Sequence, residues 1–345
     1  MVKSQNYVEQ INSIFIPTQN SSLVALDLFA GAGGLALGFE AQGFKTIGFE
    51  KDADCCATYR NNLGSDCYQL DLSPSHLFPH ATLIIGGPPC QPFSVGGKQQ
   101  GLEDSRDGFP AFISAVQQVA PKAFLFENVR GMMYRNELYL QEIVERFQTL
   151  GYIVDYKMFN TARYGVPQRR ERLIVVGHRG GFNFPQPTGK KVTAGEALGE
   201  MAVEIPADAK FLTPSMDEYV AKYEKASKCI RPRDLNLNEP SRTVTCRNLA
   251  GATGDMMRVR LPDGRRRRLT VREAARLQSF PDWFEFEGSE TSQFNQIGNA
   301  VPPLFSYHLA ASIKEYLAAS EEKMTFDEIE QYNRINGLHK QLTLF

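Results

Sequence analysis

Apolar residues in the first half of the chain fall into short runs separated by amphipathic stretches. Residues 23–29 (LVALDLF), 46–50 (TIGFE), 82–85 (TLII), 123–127 (AFLFE), 153–158 and 173–176 (LIVV) read as strands. Several are apolar at consecutive positions, as strands covered on both faces must be. Between them, residues 35–44, 53–62, 109–119 and 138–150 carry apolar positions at helical spacing. Regular alternation of strand and helix predicts an α/β fold with a doubly wound, mostly parallel, Rossmann-like sheet.

After about His178 the pattern changes. Prolines and glycines thicken (FNFPQPTGK) and apolar runs become short and irregular, so a smaller, loop-rich second domain is expected from residue 181. Regular helix returns over 304–318, after IGNAVPP, and the stretch from about 321 reads as a peripheral helix or tail. A length of 345 residues agrees with two domains at roughly 150 residues each.

Composition narrows the class. Hydrophobic content of 42% and charged content of 22% are ordinary for a globular protein. No apolar stretch of about 18 residues occurs, and MVKSQNYVEQINSIF lacks the features of a signal peptide, so a soluble, cytoplasmic protein without a membrane partner is expected. Six cysteines, at 55, 56, 67, 90, 229 and 246, form no CxxC pair, which argues against a zinc site and a disulfide framework. Net charge is only -1, yet residues 228–276 hold 13 Lys/Arg against 5 Asp/Glu, a local +8. That asymmetry points to a polyanionic partner where the whole-chain charge does not.

In a doubly wound sheet, ligands sit beyond the carboxyl ends of the strands. Chemistry-bearing residues crowd those ends here. The first strand runs into FAGAGG (29–34), glycines suited to a tight turn and close approach of a ligand; the second ends at Glu50, where a carboxylate can take a pair of ribose hydroxyls. The glycine pattern GAGGLALG departs from GxGxxG, which leans away from a dinucleotide. Residues 84–94 (IIGGPPCQPFS) place Cys90 in a stiff turn after a buried strand, and another strand ends at Glu127-Asn128-Val129.

A free thiol is most often a buried structural residue. Flanking prolines at 88, 89 and 92 instead suggest a side chain that is presented. With an ordinary pKa of about 8.5, the thiol needs neighbouring positive charge to act as a nucleophile. Gln168-Arg169-Arg170-Glu171-Arg172 supplies it: if the strand already begins there, period two puts Arg170 and Arg172 on one face, although a solvated basic strand start is the plain alternative.

Taken in order, DLFAGAGGLALGFE, FEKD, GGPPCQPFS, ENV, QRRER, RRLTVREAARLQSFPD and QIGNAVPP resemble the motifs of the prokaryotic DNA (cytosine-5) methyltransferases, from Asp27 to Pro303. The resemblance implies that Cys90 adds as a thiolate to C6 of cytosine, so that C5 can attack the methyl group of S-adenosylmethionine. Glu127 would act as general acid at N3. That role asks for a raised pKa, whereas a strand-end carboxylate in a salt bridge would have a low one. Arg172, with Arg170, would hold the O2 edge of the base and nearby phosphates.

The same resemblance places Phe29 and the backbone of Gly31, Gly33 and Gly34 around the methionine part of the cofactor, with Pro88 bordering the pocket. Glu50 would take the ribose, Asp71 the adenine amino group, and Asn299 would reach back to the same pocket. Residues 1–180, completed by 292–345, would then be the catalytic domain and 181–291 the target recognition domain. The family often has an aromatic or aliphatic residue packed on adenine just after the ribose acid; Lys51 stands there, so the sequence departs from the family pattern at that position.

A cytosine within double-stranded DNA must leave the stack to meet a thiol. Residues 91–108, with Ser94 and Arg106 as anchoring candidates, have the glycines and polar residues of a lid. Residues 256–261 and 265–270 flank Pro262-Asp263-Gly264 as a hairpin, and alternation divides Arg265, Arg266, Arg267 and Arg268 between two faces. The resemblance places Arg242-Thr243-Val244-Thr245 and Arg247-Asn248 for scaffold or base contacts. Three alternatives compete. The tRNA-modifying branch characteristically has a Cys-Phe-Thr tripeptide, absent here; a catalytically dead relative would not keep Cys90, Glu127, Arg170 and Arg172; a Rossmann oxidoreductase gives the Cys90 turn no task. A cognate restriction endonuclease and action as a monomer on DNA are further expectations.

Overall fold

A computed structural model describes residues 6–16, 23–90, 107–207, 209–226, 233–251 and 254–319. Eleven strands occur among them: β1 (Val24–Leu28), β2 (Lys45–Glu50), β3 (Cys67–Gln69), β4 (Leu83–Gly86), β5 (Ala123–Val129), β6 (Ile153–Asn160), β7 (Gln168–Arg169), β8 (Glu171–His178), β9 (Ser241–Arg242), β10 (Arg258–Arg260) and β11 (Arg266–Arg268). Seven form one sheet in the order β3-β2-β1-β4-β5-β8-β6. The pairs from β3 to β5 are parallel, and β8 runs antiparallel to both β5 and β6. Helices Gly34–Ala41, Ala53–Asn62, Phe109–Val119 and Glu137–Thr149 lie between successive strands, so the doubly wound α/β reading holds.

Period two assigns the central strands to two apolar layers. Ile84, Phe124 and Phe126 join Phe109, Phe112 and Phe147 on one face, while Ile85, Leu125, Ile174 and Val176 join Phe39 and Phe305 on the other. The second layer continues without a break into Leu198, Val244, Leu277 and Phe280. Helix Pro303–Ala318 docks on helix Gly34–Ala41 at Gly38, where an added Cβ would lie 2.4 Å from the Tyr307 nitrogen. The chain thus returns to the glycine turn after leaving it for more than 200 residues.

The second half is more helical than its composition suggests. Helices Ala194–Leu198, Pro214–Ala226, Cys246–Ala250, Val271–Leu277 and Glu290–Asn299 are present, as is an N-terminal helix, Tyr7–Ile14. Most are too short to show a period, but Thr193 with Glu196 and Thr270 with Glu273 form capping boxes that fix their starts. Strand β3 also escapes prediction, being three residues long with Tyr68 and Gln69 exposed.

The expected hairpin is present as β10 and β11, with Val259 opposite Arg267. Its arginines correct the expectation of a basic surface. Arg267 is fully buried and clamped by both oxygens of Glu273 at 2.7 and 2.8 Å, and Arg258 is fully buried against Asp234 (2.7 Å) and Glu224 (3.1 Å). Arg266 pairs with Asp234 and Asp217, and Arg265 with Asp263. A buried charge must be paired; Asp234, Asp263 and Glu273 are already counted in the local +8, and of the partners named only Asp217 and Glu224 come from outside residues 228–276, so the pairing takes Arg258 and Arg267 off the surface and offsets little of the surplus.

Candidate active site

Strand β4 is pressed against β1 at its end. A Cβ on Gly86 would lie 2.2 Å from the Leu28 carbonyl oxygen, so only glycine allows this approach. The chain then turns through Gly87, Pro88 and Pro89 to Cys90. Asn128 on β5 donates its Nδ2 to the Pro88 carbonyl (3.0 Å), the Gly108 N–H donates to the Pro89 carbonyl (3.0 Å), and Cys90 itself pairs with Asp107 in an isolated antiparallel bridge. The turn is therefore held from both sides, and the thiol is half-buried, not packed under the core. Burial first, and the Asp107 carboxylate second, push the Cys90 thiol up to about 11.

Glu127 projects from β5, where Val129 stands opposite Arg172 of β8. Arg172 Nε lies 2.6 Å from Glu127 Oε1, and the side chains are 14% and 11% exposed. This is a close ion pair without hydrogen-bond alignment, and among the described residues Oε1 has no directed donor. The strand-end salt bridge considered as the alternative for Glu127 is present, and its partner is the second candidate catalytic residue.

Arg170 sits elsewhere than expected. It is 1% exposed, and its Nη1 donates to the carbonyls of Val244 (2.8 Å) and Gly298 (3.2 Å). The chain leaves strand conformation at Arg170, between β7 and β8, so the alternation that paired it with Arg172 is broken there. Burial and the Arg172 charge weigh against its cation, and the two carbonyls answer that cost. Arg170 ties residues 244 and 298 together. Gln168 assists: it is buried, accepts the Val244 N–H (2.9 Å) and donates to the Leu277 carbonyl.

The glycine turn lies beside this site. Phe29 and Gly31 adopt positive φ (59° and 53°), as does Gly33 (84°), where an added Cβ would meet Leu63 and Tyr59. Glu50 takes the Gly31 N–H on Oε2 (2.9 Å) and those of Lys51 and Asp52 on Oε1 (2.9 and 3.0 Å), which aims the carboxylate. Among the described residues nothing lies within 4 Å of a Cβ position on Gly31 or Gly87, so neither turn is packed against them there. Gly34 abuts the Val301 carbonyl, bringing the segment after Asn299 onto the turn; Asn299 Oδ1 accepts from the Cys246 thiol (3.0 Å). Gly108 links the halves, since a Cβ there would sit 2.4 Å from Pro89 Cδ and 2.9 Å from Phe29 Cζ.

Asp71 is exposed just beyond β3, Lys51 is exposed, and Pro88 is buried. Ser94, Arg106 and the rest of 91–106 lie outside the described residues. Sequence reasoning missed Asp27, whose buried carboxyl has no hydrogen-bond partner among the described residues; burial, then Glu50 and Glu40, raise its pKa well above the ordinary value. It also missed the tasks of Asn128, Asp107 and Tyr139. Only Asn128 had a signal, its place beside Glu127.

A mostly parallel sheet with a glycine turn, an aimed carboxylate and a thiol at adjacent strand ends defines an α/β, Rossmann-like enzyme. The Spodoptera frugiperda DNMT2 mutant structure superposes with a TM-score of 0.66 at 17% identity, covering 85% of this chain and 100% of that one. The S. pombe Dnmt2 methyltransferase gives 0.63 at 18% identity, over 85% and 99% of the chains. At such identities these show the fold, that of the methyltransferases. Sequence goes further. The C-5 cytosine-specific DNA methylase family matches residues 23–315. The Type II methyltransferase M.AplI of Arthrospira platensis is 58% identical over 308 residues (88% of this chain, 89% of the relative), and M.NgoFVII of Neisseria gonorrhoeae 35% identical over 342 residues (88% and 89%). The chain belongs to the C-5 cytosine-specific DNA methylase family, and it is a DNA (cytosine-5) methyltransferase of Type II kind.

Proposed function

We propose that the protein methylates C5 of a cytosine swung out of duplex DNA, using S-adenosylmethionine and a transient bond from Cys90 to C6. The observation that carries this reading is the meeting of three groups at adjacent strand ends: the Cys90 turn, the Glu127–Arg172 pair and the glycine turn capped by Glu50.

The donor set suits the cofactor. Glu50 is oriented to accept two ribose hydroxyls, and among the described residues nothing packs on Gly31 or Gly87, which suits a ligand held against the backbone. Phe29, Gly33, Gly34 and Pro88 would line the same space, Asp71 would meet the adenine amino group, and Asn299 would close it from the C-terminal side. When bound, the cofactor supplies an electrophilic methyl group on a sulfonium. On the base, the Cys90 thiolate adds to C6 while Glu127 gives a proton to N3, leaving electron density at C5. Arg172 holds the O2 edge and, from its place 2.6 Å from Glu127 Oε1, fixes the position of that side chain, which acts once it carries a proton. After C5 accepts the methyl group, the C5 proton passes to a water base, the C6–S bond breaks to expel the thiolate, and N3 returns its proton to Glu127, restoring the aromatic ring.

Residues 1–180 with 292–345 would form the catalytic part, and 181–291 the part that recognises a short DNA sequence. Arg170 is assigned to scaffold, not to the base. The Type II relatives favour a partner endonuclease acting on the same sequence, and one copy of the chain suffices on the DNA.

Incubation with methyl-labelled S-adenosylmethionine and mixed-sequence duplexes tests this, with the label mapped by base. The expected product is 5-methylcytosine within one short motif. Label in tRNA and none in DNA would overturn the substrate assignment.

A further inference from the structure

Cys90 is held by a residue that no step of this chemistry has used. Asp107 pairs with Cys90 across the bridge, and the next N–H, that of Gly108, closes on the Pro89 carbonyl at 3.0 Å. The Asp107 carboxylate also accepts from the Phe109 N–H (3.1 Å), at the start of helix Phe109–Val119, and from the Tyr139 hydroxyl of helix Glu137–Thr149. Tyr139 is 6% exposed and its ring meets Phe109 edge-on. One carboxylate therefore fastens the nucleophile's turn to two helices. We propose that Asp107, anchored by Tyr139, is a positioning residue for Cys90 that sets both where the thiol sits and how readily it ionises. This rests on the proposed role of Cys90 and adds to it a device of this chain's own.

The arrangement has two opposed effects. Fixing the turn serves the reaction, because a nucleophile misplaced by about 1 Å loses on the order of 10²-fold in rate. A carboxylate beside a thiol disfavours its ionisation. Among the described residues, the ionisable groups coupled to the thiol are Asp107 and Tyr139, and Glu142 acts on Tyr139 from its own helix. Burial and Asp107 raise the Tyr139 hydroxyl far above its ordinary value, so it stays a donor. The free enzyme therefore keeps a neutral, placed thiol, and ionisation belongs to the complex with the base.

The test reads the pH dependence of Cys90 alkylation by iodoacetamide in the full-length enzyme, with the Cys90 peptide quantified by mass spectrometry. The wild-type midpoint is expected near 11. Asp107→Asn keeps an acceptor oxygen and removes the charge; its midpoint falls, and alkylation at pH 8 is about tenfold faster per unit of fall. Tyr139→Phe keeps the charge and the ring but loses the anchor. Its midpoint stays high while kcat drops several-fold with KM for S-adenosylmethionine unchanged, and it decides the matter if Asp107→Asn does not fold. A wild-type midpoint at the ordinary thiol value, an unmoved midpoint in Asp107→Asn, or an unchanged kcat in Tyr139→Phe overturns the proposal. Alkylation needs neither DNA nor cofactor, so absence of methyl transfer by the wild type would reject the proposed function and with it the positioning role, while the midpoints of the wild type and Asp107→Asn would still decide whether Asp107 controls ionisation of the thiol.

Discussion

Cys90→Ser is expected to abolish methyl transfer, lowering the single-turnover rate on duplex DNA by on the order of 10⁴-fold or more, as loss of a covalent nucleophile does elsewhere. The substitution is nearly isosteric, and the turn is held by the Asn128–Pro88 and Gly108–Pro89 bonds, none of which uses the sulfur. S-Adenosylmethionine should therefore bind almost as before. A serine hydroxyl is a far weaker acid than a thiol, and in this half-buried place even the thiol is raised to about 11. The sign of the pH effect follows. A group that must lose a proton to act, and whose pKa is raised, gives a rate that climbs with pH through the neutral and alkaline range. Single-turnover rates between about pH 6 and 9 should show the rising limb in the wild type. A Cys90→Ser enzyme that still turns over rules out thiol addition.

Glu50→Ala has the opposite profile. Cofactor affinity should weaken by about 1.5–3 kcal/mol, the worth of hydrogen bonds to a charged acceptor, or roughly 10- to 100-fold in Kd. At saturating cofactor the chemical step should change less. Alanine also releases the N–H groups of Gly31, Lys51 and Asp52, which loosens the glycine turn. Glu50→Gln keeps an acceptor for part of that set and should fall between. Calorimetric titration with S-adenosylmethionine separates the three proteins, and equal affinities across them would remove Glu50 from the cofactor site.

Much of the first half was legible because its signals are long and periodic. Buried strands such as β4 and β5 show as unbroken apolar runs, and helices Ala53–Asn62 and Phe109–Val119 match their expected spans. What escaped depends on contacts across the chain. Strand β3 exists because it pairs with β2, not because its three residues alternate. The arginines of the hairpin read as a basic face until Asp217, Glu224 and Glu273 are seen to meet them. Period two placed Arg170 beside Arg172 only on the assumption of an unbroken strand. At the site, Cys90, Glu127 and Glu50 were visible as strand ends. Asp107 and Tyr139 were not, because nothing in sequence says that a residue 17 positions on will pair with Cys90.

Duplexes carrying 5-fluorocytosine in place of cytosine interrogate the covalent step itself, since a fluorine at C5 cannot leave as a proton does and the adduct persists. With S-adenosylmethionine present, the wild-type enzyme should become fixed to the DNA through denaturation, and digestion should leave the modified pyrimidine on the peptide containing Cys90. A bond at any other residue, or none from an enzyme that methylates ordinary duplexes, would contradict the account.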